Sequence, residues 1–329
     1  MAKILIIRFS SFGDIVQTRS VLKPLLRSNV VDQVDWLVRK DLEGALEGEK
    51  NISKLFCFDR KEGLMGLIAL GLFLRKEKYD YIYDAHNNLR SFVIRHVLSF
   101  LMMTKVIIRS KERMKRFLLF KLRINKFPKP YKAMESYWLP LQKFFNLSKE
   151  LSPIDWPIGL DIKMKNYVDG KIVLVPSAAW KMKRWPIEHW KKLVELLPEY
   201  HFTILGGPED HFCEEIREVD PARVNNLAGK LSLKESCVMA GHCDFIITGD
   251  TGLQQVADLS GRKGLSLMGP TAFGFVTMGT LKTLGVDLDC RPCSKDGRGK
   301  CIQDVYQKCM VEITPERVAA QVRTDFPIV

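Results

Sequence analysis

The sequence lacks any apolar run long enough to cross a membrane. A spanning helix needs about 20 predominantly apolar residues, whereas the longest run here, residues 64–74, has 11 residues, two of which are glycine. We also expect no signal peptide, because Lys3 leads directly into an apolar strand pattern. We therefore expect a cytoplasmic protein.

The chain also lacks the glycine spacing of a dinucleotide-binding protein. After the first predicted strand, Ile4 to Ile7, the turn reads Arg-Phe-Ser-Ser-Phe-Gly-Asp, without Gly-x-Gly-x-x-Gly, which disfavours a Rossmann oxidoreductase. The turn carries one carboxylate, Asp14, ahead of a helix pattern that begins at Ile15. In open α/β sheets ligands bind at the carboxyl ends of strands. Asp14 is therefore a candidate site residue; the alternative is that it only caps the helix.

Acidic charge is scarce in the N-terminal half. Residues 1–150 hold 29 Lys and Arg against 15 Asp and Glu, whereas the remainder is nearly balanced, and the net charge is +13. This asymmetry indicates an anionic partner for the first half. Residues 111–123 alternate basic and apolar side chains, which is typical of a helix on an anionic membrane surface. The alternatives are a core helix with a solvated basic face and, for the charge as a whole, a basic nucleic-acid-binding protein.

Strand and helix patterns alternate twice along the chain, which predicts two α/β domains with parallel sheets. The segment 146–157, with its two prolines, is the best linker, and we place the boundary between residues 152 and 153. In the first half we predict strands near 3–9, 33–39, 54–59, 79–85 and 105–109, and helices near 14–27, 63–76, 88–102, 111–123 and 132–146. In the second half we predict strands near 171–176, 202–206, 224–228, 244–249 and 264–268, and a last helix that begins at Thr314-Pro315.

A second strand, turn and helix sequence lies far down the chain. An apolar run at 245–249 is followed by Asp250, Thr251 and Gly252, which open a helix whose free amides can bind phosphate. Thr271 follows another predicted strand in Gly-Pro-Thr. The second half therefore holds polar groups at two strand ends.

Five motifs in order resemble glycosyltransferase family 9, the ADP-heptose–lipopolysaccharide heptosyltransferases. They are Ser-Ser-Phe-Gly-Asp at 10–14, Asp-Ala-His-Asn-Asn-Leu-Arg-Ser at 84–91, Lys-Arg-Trp-Pro at 183–186, Asp-Thr-Gly-Leu at 250–253 and Gly-Pro-Thr at 269–271. The resemblance covers nearly the whole chain. It implies a GT-B fold, in which two Rossmann-like domains face each other across a cleft and the final helix packs back. It also implies inverting, metal-independent transfer of heptose from ADP-heptose to the lipopolysaccharide inner core, on Kdo-lipid A or a heptosylated core.

The resemblance also implies roles for single residues. Asp14 matches the family's base, and Lys183 matches its phosphate-facing lysine. Asp250 cannot attract a phosphate, so it either contacts a sugar hydroxyl or caps its helix. The further donor-binding candidates are Thr251, Gly252 and Thr271, and the acceptor-binding candidates are Ser11, Gly13, Asn88, Arg90 and Lys111.

Two positions depart from the family pattern. Gln255 stands where the pattern has a histidine, and Lys132 is the nearest equivalent of a second histidine. Another nucleotide sugar or a later core acceptor therefore stays open as an alternative. The partners that we expect are ADP-heptose, a lipopolysaccharide precursor and the anionic inner face of the inner membrane, without nucleic acid.

The eight cysteines fall into two groups. Four are scattered in strand or helix patterns and are expected to be buried thiols. The other four cluster in the C-terminal loop as Cys290, Cys293, Cys301 and Cys309. One pair has zinc-knuckle spacing, so a structural zinc site is one alternative; reduced thiols, or a disulfide formed on purification, are the others.

Overall fold

The computed structural model describes residues 2–100, 103–147, 153–154, 156 and 162–328. The chain packs into two units, Met1–Arg113 with Met134–Pro157, and Met114–Ala133 with Ile158–Val329. This differs from the single boundary predicted between residues 152 and 153. The segment 114–133 belongs to the second unit because its aromatic side chains, Phe120, Phe127 and Tyr131, pack edge-on around Phe273.

The first unit is built on a parallel five-stranded sheet in the order β3-β2-β1-β4-β5. Its strands are β1 (Lys3–Ile7), β2 (Gln33–Arg39), β3 (Lys54–Phe58), β4 (Tyr81–Asp84) and β5 (Lys105–Ile108). The central strand β1 is buried from Ile4 to Ile7, as expected for a parallel strand covered on both faces. All five predicted strands are confirmed, and their carboxyl ends lie at one edge.

The helices of the first unit follow the prediction with one break. They are α1 (Phe12–Arg19), α2 (Leu22–Arg27), α3 (Gly63–Arg75) and α4 (Leu89–Ser99), then α5 (Arg113–Leu122), which leads into the second unit, and α6 (Glu135–Phe145). The single helix predicted over 14–27 is wrong. In a continuous helix the ring of Pro24 would clash with the backbone carbonyl of Ser20, four residues earlier. Pro24 instead lies in the first turn of α2, where its missing N–H has no partner to lose.

The second unit has a parallel six-stranded sheet in the order β11-β10-β9-β6-β7-β8. Its strands are β6 (Ile172–Val175), β7 (Phe202–Ile204), β8 (Val224–Asn226), β9 (Phe245–Gly249), β10 (Lys263–Met268) and β11 (Leu281–Gly285). The sequence prediction missed β11. This edge strand buries Leu281 and Leu284 but exposes Lys282 and Thr283, so it offers no continuous apolar run.

Seven helices of the described chain complete the second unit. They are α7 (Ile162–Val168), α8 (Ile187–Leu196), α9 (Cys213–Arg217), α10 (Leu233–His242), α11 (Gly252–Leu259), α12 (Lys308–Val311) and α13 (Pro315–Asp325). The predicted start of α13 is confirmed, since Thr314 accepts a hydrogen bond from the N–H of Arg317 and Pro315 is the first helical residue. Val318 and Val322 of α13 join the core of the second unit. Packing of this helix back toward the first domain stays a prediction.

Candidate active site

Asp14 lies just beyond the carboxyl end of β1 and is held by several donors. Arg8 Nη2 lies 2.5 Å from Asp14 Oδ2. The backbone N–H and the hydroxyl of Ser11 donate to the same oxygen, at 3.1 and 2.7 Å. The hydroxyl of Tyr137, on α6, donates to Oδ1. The turn predicted from sequence therefore places a carboxylate among a cation and two hydroxyl groups.

The pKa of Asp14 is held well below its usual range. Burial alone would raise the pKa of this carboxyl, but the charges of Arg8 and Arg109 and the hydrogen bonds from Tyr137 and Ser11 outweigh it. Arg109 lies beside Tyr137, with its guanidinium 3.7 Å from the centre of that ring. Asp14 is therefore ionised at neutral pH.

Asp14 does act as a helix cap, yet capping does not account for its surroundings. It is the third residue of α1 and completes a capping box with Ser11. A capping box needs only that reciprocal pair, whereas here a buried arginine and a tyrosine from 123 residues away also bind the carboxylate. About a third of the Asp14 side chain stays accessible. The residue is both a cap and a charged group open to a ligand.

His86 is a neighbour of this cluster that the sequence indicated only as part of a motif. It follows β4, the strand beside β1, and its ring lies edge-on to Phe9. Burial, then the charges of Arg8 and Lys111, lower the pKa of His86 to about 3. Its Nδ1 is buried and has no hydrogen-bond partner among the described residues. A neutral imidazole with a spare nitrogen can accept or donate one hydrogen bond to a ligand.

The other acceptor-binding candidates lie at the same edge of the sheet but make different contacts. Asn88 caps α4, because its side chain accepts from the N–H of Ser91 at 3.0 Å. Arg90, in the first turn of α4, is exposed, and Gly13 lies in the first turn of α1. Lys111 precedes α5 and acts electrostatically on His86. The structure thus places Ser11 in hydrogen-bond contact with Asp14, and Lys111 close enough to His86 to lower the pKa of its ring.

A cavity of about 340 Å³, which no sequence motif indicated, opens at the carboxyl ends of β2 and β3. It is lined by Lys40, Asp41, Phe58, Asp59, Arg60 and Lys61. Asp41 is paired with Arg39, and Asp59 accepts from the N–H of Lys61 at 2.9 Å. The three cations in the lining suit a ligand with carboxylate or phosphate groups.

The predicted donor-binding residues converge in the second unit. Lys183 Nζ lies 3.0 Å from Asp250 Oδ2, and the hydroxyl of Thr271 donates to the same oxygen at 2.6 Å. Both members of the ion pair are largely buried, with 14% and 16% of their side chains exposed. Three motifs that lie far apart in sequence therefore meet at one point.

Thr251, rather than Asp250, caps α11. The Thr251 hydroxyl accepts from the N–H of Gln254 at 3.1 Å. The alternative that Asp250 is a helix cap is therefore wrong, and its carboxylate faces Lys183 instead. Gly252 is the first residue of α11, where unpaired amides and the helix dipole favour an anion.

Two glycines, one in the loop after β10 and one in the cysteine-rich loop after β11, allow these loops to approach the cluster closely. A Cβ on Gly274 would lie 2.1 Å from Asp250 Cγ, and one on Gly297 would lie 2.6 Å from Lys183 Cγ. Pro270, next to Thr271, accepts from the N–H groups of Cys293 and Ser294, both at 3.1 Å. The cysteine-rich loop therefore positions Thr271 and packs on Lys183.

The two positions that depart from the family pattern are internal contacts. Gln255 is buried and donates to Gln254 at 3.2 Å. Lys132 donates to the carbonyl of Thr277 at 3.4 Å. Beside them, burial raises the pKa of Asp258 to about 6, although the N–H groups of Thr277 and Met278 bind its carboxylate.

The four clustered cysteines are free thiols that lie near one another. Burial first, and then the neighbouring cysteines, raise the pKa of Cys309 to about 11. Within the part of the chain that the structure describes, no three His, Cys, Asp or Glu side chains are arranged to hold a metal ion. The chemistry of this cluster stays a prediction.

Comparison with known proteins supplies the family. A sequence model of glycosyltransferase family 9 (heptosyltransferase) matches residues 67–306. Lipopolysaccharide heptosyltransferase 1 of Campylobacter coli is 26% identical over 296 residues, which are 82% of this chain and 84% of that protein. Lipooligosaccharide heptosyltransferase 2 of Haemophilus influenzae is 31% identical over 141 residues, but that match spans only 41% of this chain and 40% of that protein.

The fold agrees with a solved structure over the whole chain. ADP-heptose lipopolysaccharide heptosyltransferase II of Escherichia coli has a TM-score of 0.70 at 20% identity, with 98% of each chain covered. Two parallel α/β units with this likeness define the fold class, the GT-B fold. The chain belongs to glycosyltransferase family 9, the heptosyltransferase family.

Proposed function

We propose that this enzyme transfers heptose from ADP-heptose to the inner core of a lipopolysaccharide precursor, with inversion at the anomeric carbon. The acceptor, Kdo-lipid A or a heptosylated core, binds the first unit, and the nucleotide sugar binds the second. Family membership supports heptose transfer, and both sequence relatives are named as heptosyltransferases of lipopolysaccharide or lipooligosaccharide. The observation that carries the proposal is the cluster of Lys183, Asp250 and Thr271 at the start of α11.

On the acceptor side, Asp14 is the proposed general base. Inversion requires a group that takes the proton from the attacking hydroxyl as the new bond forms. A carboxylate with such a low pKa is always ionised but weakly basic, because every donor that stabilises the anion opposes proton uptake. The acceptor hydroxyl must therefore replace one of the present donors, and Tyr137 is the one that comes from another element.

Binding of the acceptor itself draws on the positive charge of this edge. Carboxylates and phosphates of the inner core would bind Arg90, Lys111 and the cavity lined by Lys40, Arg60 and Lys61. Ser11, Gly13 and Asn88 complete the proposed acceptor site through hydroxyl, backbone and amide groups. His86 adds one hydrogen-bonding nitrogen beside them.

On the donor side, the leaving ADP needs positive charge and hydrogen-bond donors. Lys183, the amides at Gly252 and the hydroxyls of Thr251 and Thr271 would supply them. Asp250 holds Lys183 in place before the donor binds and would then accept from a sugar hydroxyl. Lys183 and the helix amides would stabilise the negative charge of the leaving diphosphate, which a divalent cation does in other enzymes. We therefore propose that catalysis needs no metal.

The location that we propose is the cytoplasmic face of the inner membrane, because the acceptor is a membrane lipid. The alternative donor, another nucleotide sugar, was suggested by Gln255. The structure does not favour this alternative, because the Gln255 side chain forms a hydrogen bond inside the protein, with Gln254.

A transfer assay followed by mass spectrometry tests the proposal. The enzyme is incubated with ADP-heptose, or with other ADP-sugars and UDP-sugars, together with a panel of truncated core acceptors. We expect mass gain on an inner-core acceptor with ADP-heptose. Transfer only from a different sugar nucleotide, or only to an outer-core acceptor, would contradict the proposed substrates.

A further inference from the structure

The helix α3 is apolar around its whole circumference although it lies on the surface of its unit. Residues 63–74 contain no polar side chain. Leu67 and Leu74 are buried against the sheet, but Met65 and Leu72, on the opposite side, are 76% and 53% exposed. Surface helices of globular proteins normally carry polar residues on that side, so an outer face of this kind marks an interaction surface.

The neighbouring helix α4 extends this apolar surface. The two helices pack closely, and a Cβ on Gly71 would lie 2.9 Å from a methyl group of Val97. Leu89 and Phe92 of α4 and Phe100, directly after its last residue, are 78%, 44% and 64% exposed. These three residues and Met65 and Leu72 of α3 are here named the α3–α4 face.

Positive charge borders the α3–α4 face. Arg60 and Lys61 precede α3, Lys76 and Lys78 follow it, and Arg90 lies in the first turn of α4; all five are exposed. Of the nearby acidic groups, Glu77 is paired with Lys3 and Lys54 and Asp84 is buried against Arg95, whereas Glu62, directly before α3, is exposed. Exposed apolar side chains with a basic border are complementary to a bilayer with anionic headgroups.

We propose that the α3–α4 face docks the enzyme on an anionic lipid bilayer. This deepens the proposed function, on which it rests for the lipid-anchored acceptor. Among the described residues, no helix has the length and apolarity to cross a bilayer. In the proposed docking the two helices lie on the membrane, with their outer apolar side chains inserted among the headgroups. Arg60 and Lys61 belong both to the border of this face and to the acceptor cavity, so docking brings that cavity to the lipid surface.

The structure favours this face over α5, which the sequence indicated. Phe120 of α5 packs against Phe273, and the cations of Lys115 and Arg116 lie over the rings of Phe127 and Phe273. These side chains hold the second unit together. The exposed apolar residues of α5 are Met114, Phe117 and Leu122, and they supply a matched control.

Vesicle co-sedimentation with the full-length protein tests the proposal. The probes are vesicles of phosphatidylcholine alone or mixed with phosphatidylglycerol, without acceptor or donor. One variant carries Met65→Gln, Leu72→Gln and Phe100→Gln on the α3–α4 face. The control carries the same three exchanges on α5, at Met114, Phe117 and Leu122. Glutamine keeps the helix propensity while it removes the apolar surface.

We expect wild-type protein to bind the anionic vesicles, more weakly as salt rises, and to leave the neutral ones largely unbound. The α3–α4 variant should bind at least about tenfold more weakly, and the α5 control within about twofold of wild type. Lys76→Glu with Lys78→Glu should also weaken binding to anionic vesicles. Thermal unfolding of each variant checks that it is folded.

Unchanged binding of a folded α3–α4 variant, or loss only in the α5 control, would overturn the proposal. Light scattering that shows a wild-type dimer, abolished by the α3–α4 exchanges, would assign the face to a second copy of the chain instead. Transfer to a soluble, delipidated acceptor is measured separately. Vesicle binding without such transfer would count against the proposed function alone, and transfer without vesicle binding against the membrane surface alone.

Discussion

At the scale of single residues, the main feature is the Asp14 carboxylate. Its anionic form is stabilised more strongly than is favourable for a group that must take up a proton. Asp14 is bound by Arg8, Ser11 and Tyr137 at once, and its pKa is lowered accordingly. Each of these donors keeps the carboxylate ionised in acid and lowers its affinity for the substrate proton. The chemistry of Asp14 is therefore adjustable by substitution of its neighbours.

Tyr137→Phe should raise the pKa of Asp14. The variant removes one of the hydrogen bonds that lower this pKa, so the carboxylate becomes protonated at higher pH, by about one unit. Carboxyl ¹³C NMR titration of Asp14 from neutral toward acid pH is the measurement. Tyr200→Phe is the matched control, because the Tyr200 hydroxyl donates to the carbonyl of Phe326 in the second unit; this variant should leave the titration of Asp14 in place. An unshifted titration in Tyr137→Phe would mean that this hydrogen bond does not stabilise the Asp14 carboxylate.

Lys183→Ala should weaken ADP binding by roughly tenfold and slow transfer by about 100-fold. The lysine attracts the diphosphate in the ground state and more strongly as charge builds on the leaving group. Calorimetry with ADP and steady-state rates give the two values. Lys191→Ala, a lysine paired with Glu188 on the surface of α8, should change neither. Equal ADP affinity in the two variants would remove Lys183 from the donor site.

At the scale of elements, α11 carries a buried carboxyl whose pKa lies above that of the unfolded chain. Asp258 has a pKa of about 6 because of burial, against about 3.9 when unfolded. Between these values the folded state holds a proton that the unfolded chain has lost. This contribution to the free energy of unfolding is therefore present at acidic pH and is lost as pH rises toward 6.

Asp258→Asn removes that contribution. Relative to the variant, wild type should gain about 2 kcal/mol in the free energy of unfolding between pH 7.5 and pH 4.5. Denaturant unfolding of both proteins at the two pH values measures this difference. Asp304→Asn, an exposed carboxylate, should show no such change. A constant difference between Asp258→Asn and wild type would mean that Asp258 has an ordinary pKa.

Most elements could be predicted from the sequence because buried parallel strands are continuous apolar runs and most helices carry a clear period. The errors had two kinds of cause: single residues that change the local structure, and packing contacts between segments far apart in the sequence. Pro24 divides a helix whose apolar pattern continues across the break. The strand β11 has too few apolar residues to be seen alone. The position of residues 114–133 depends on aromatic packing with Phe273, about 150 residues away, which no local pattern contains.

The candidate site was predictable only where a motif carries it. Asp14, Lys183 and Asp250 each lie in a short strand-end motif. Tyr137 and Arg109 lie on separate elements and meet Asp14 only through the fold, so neither spacing nor composition indicates them. The cavity lined by Lys40, Arg60 and Lys61 is likewise assembled from the ends of two strands.

At the scale of the whole molecule, the account predicts full transfer activity in excess EDTA. In the proposed donor site, Lys183 and the amides of α11 take the place of a divalent cation at the diphosphate, so a chelator would have no catalytic metal to remove. Initial rates with and without EDTA, then with added Mg²⁺, are the measurement. Immediate loss that Mg²⁺ restores would contradict metal-independent catalysis. Slow loss that only zinc restores would instead show that the cysteine-rich loop, which positions Thr271, holds a structural metal.

The central claim is that the first unit binds the acceptor and supplies the base, whereas the second unit binds the nucleotide sugar. Asp14→Asn tests it most directly when transfer and ADP affinity are measured on the same preparation. The account predicts that transfer of heptose from ADP-heptose falls by about 10²–10⁴ while the Kd for ADP stays within about twofold. Turnover near that of wild type would reduce Asp14 to a helix cap, and a parallel loss of ADP affinity would contradict the assignment of one substrate to each unit.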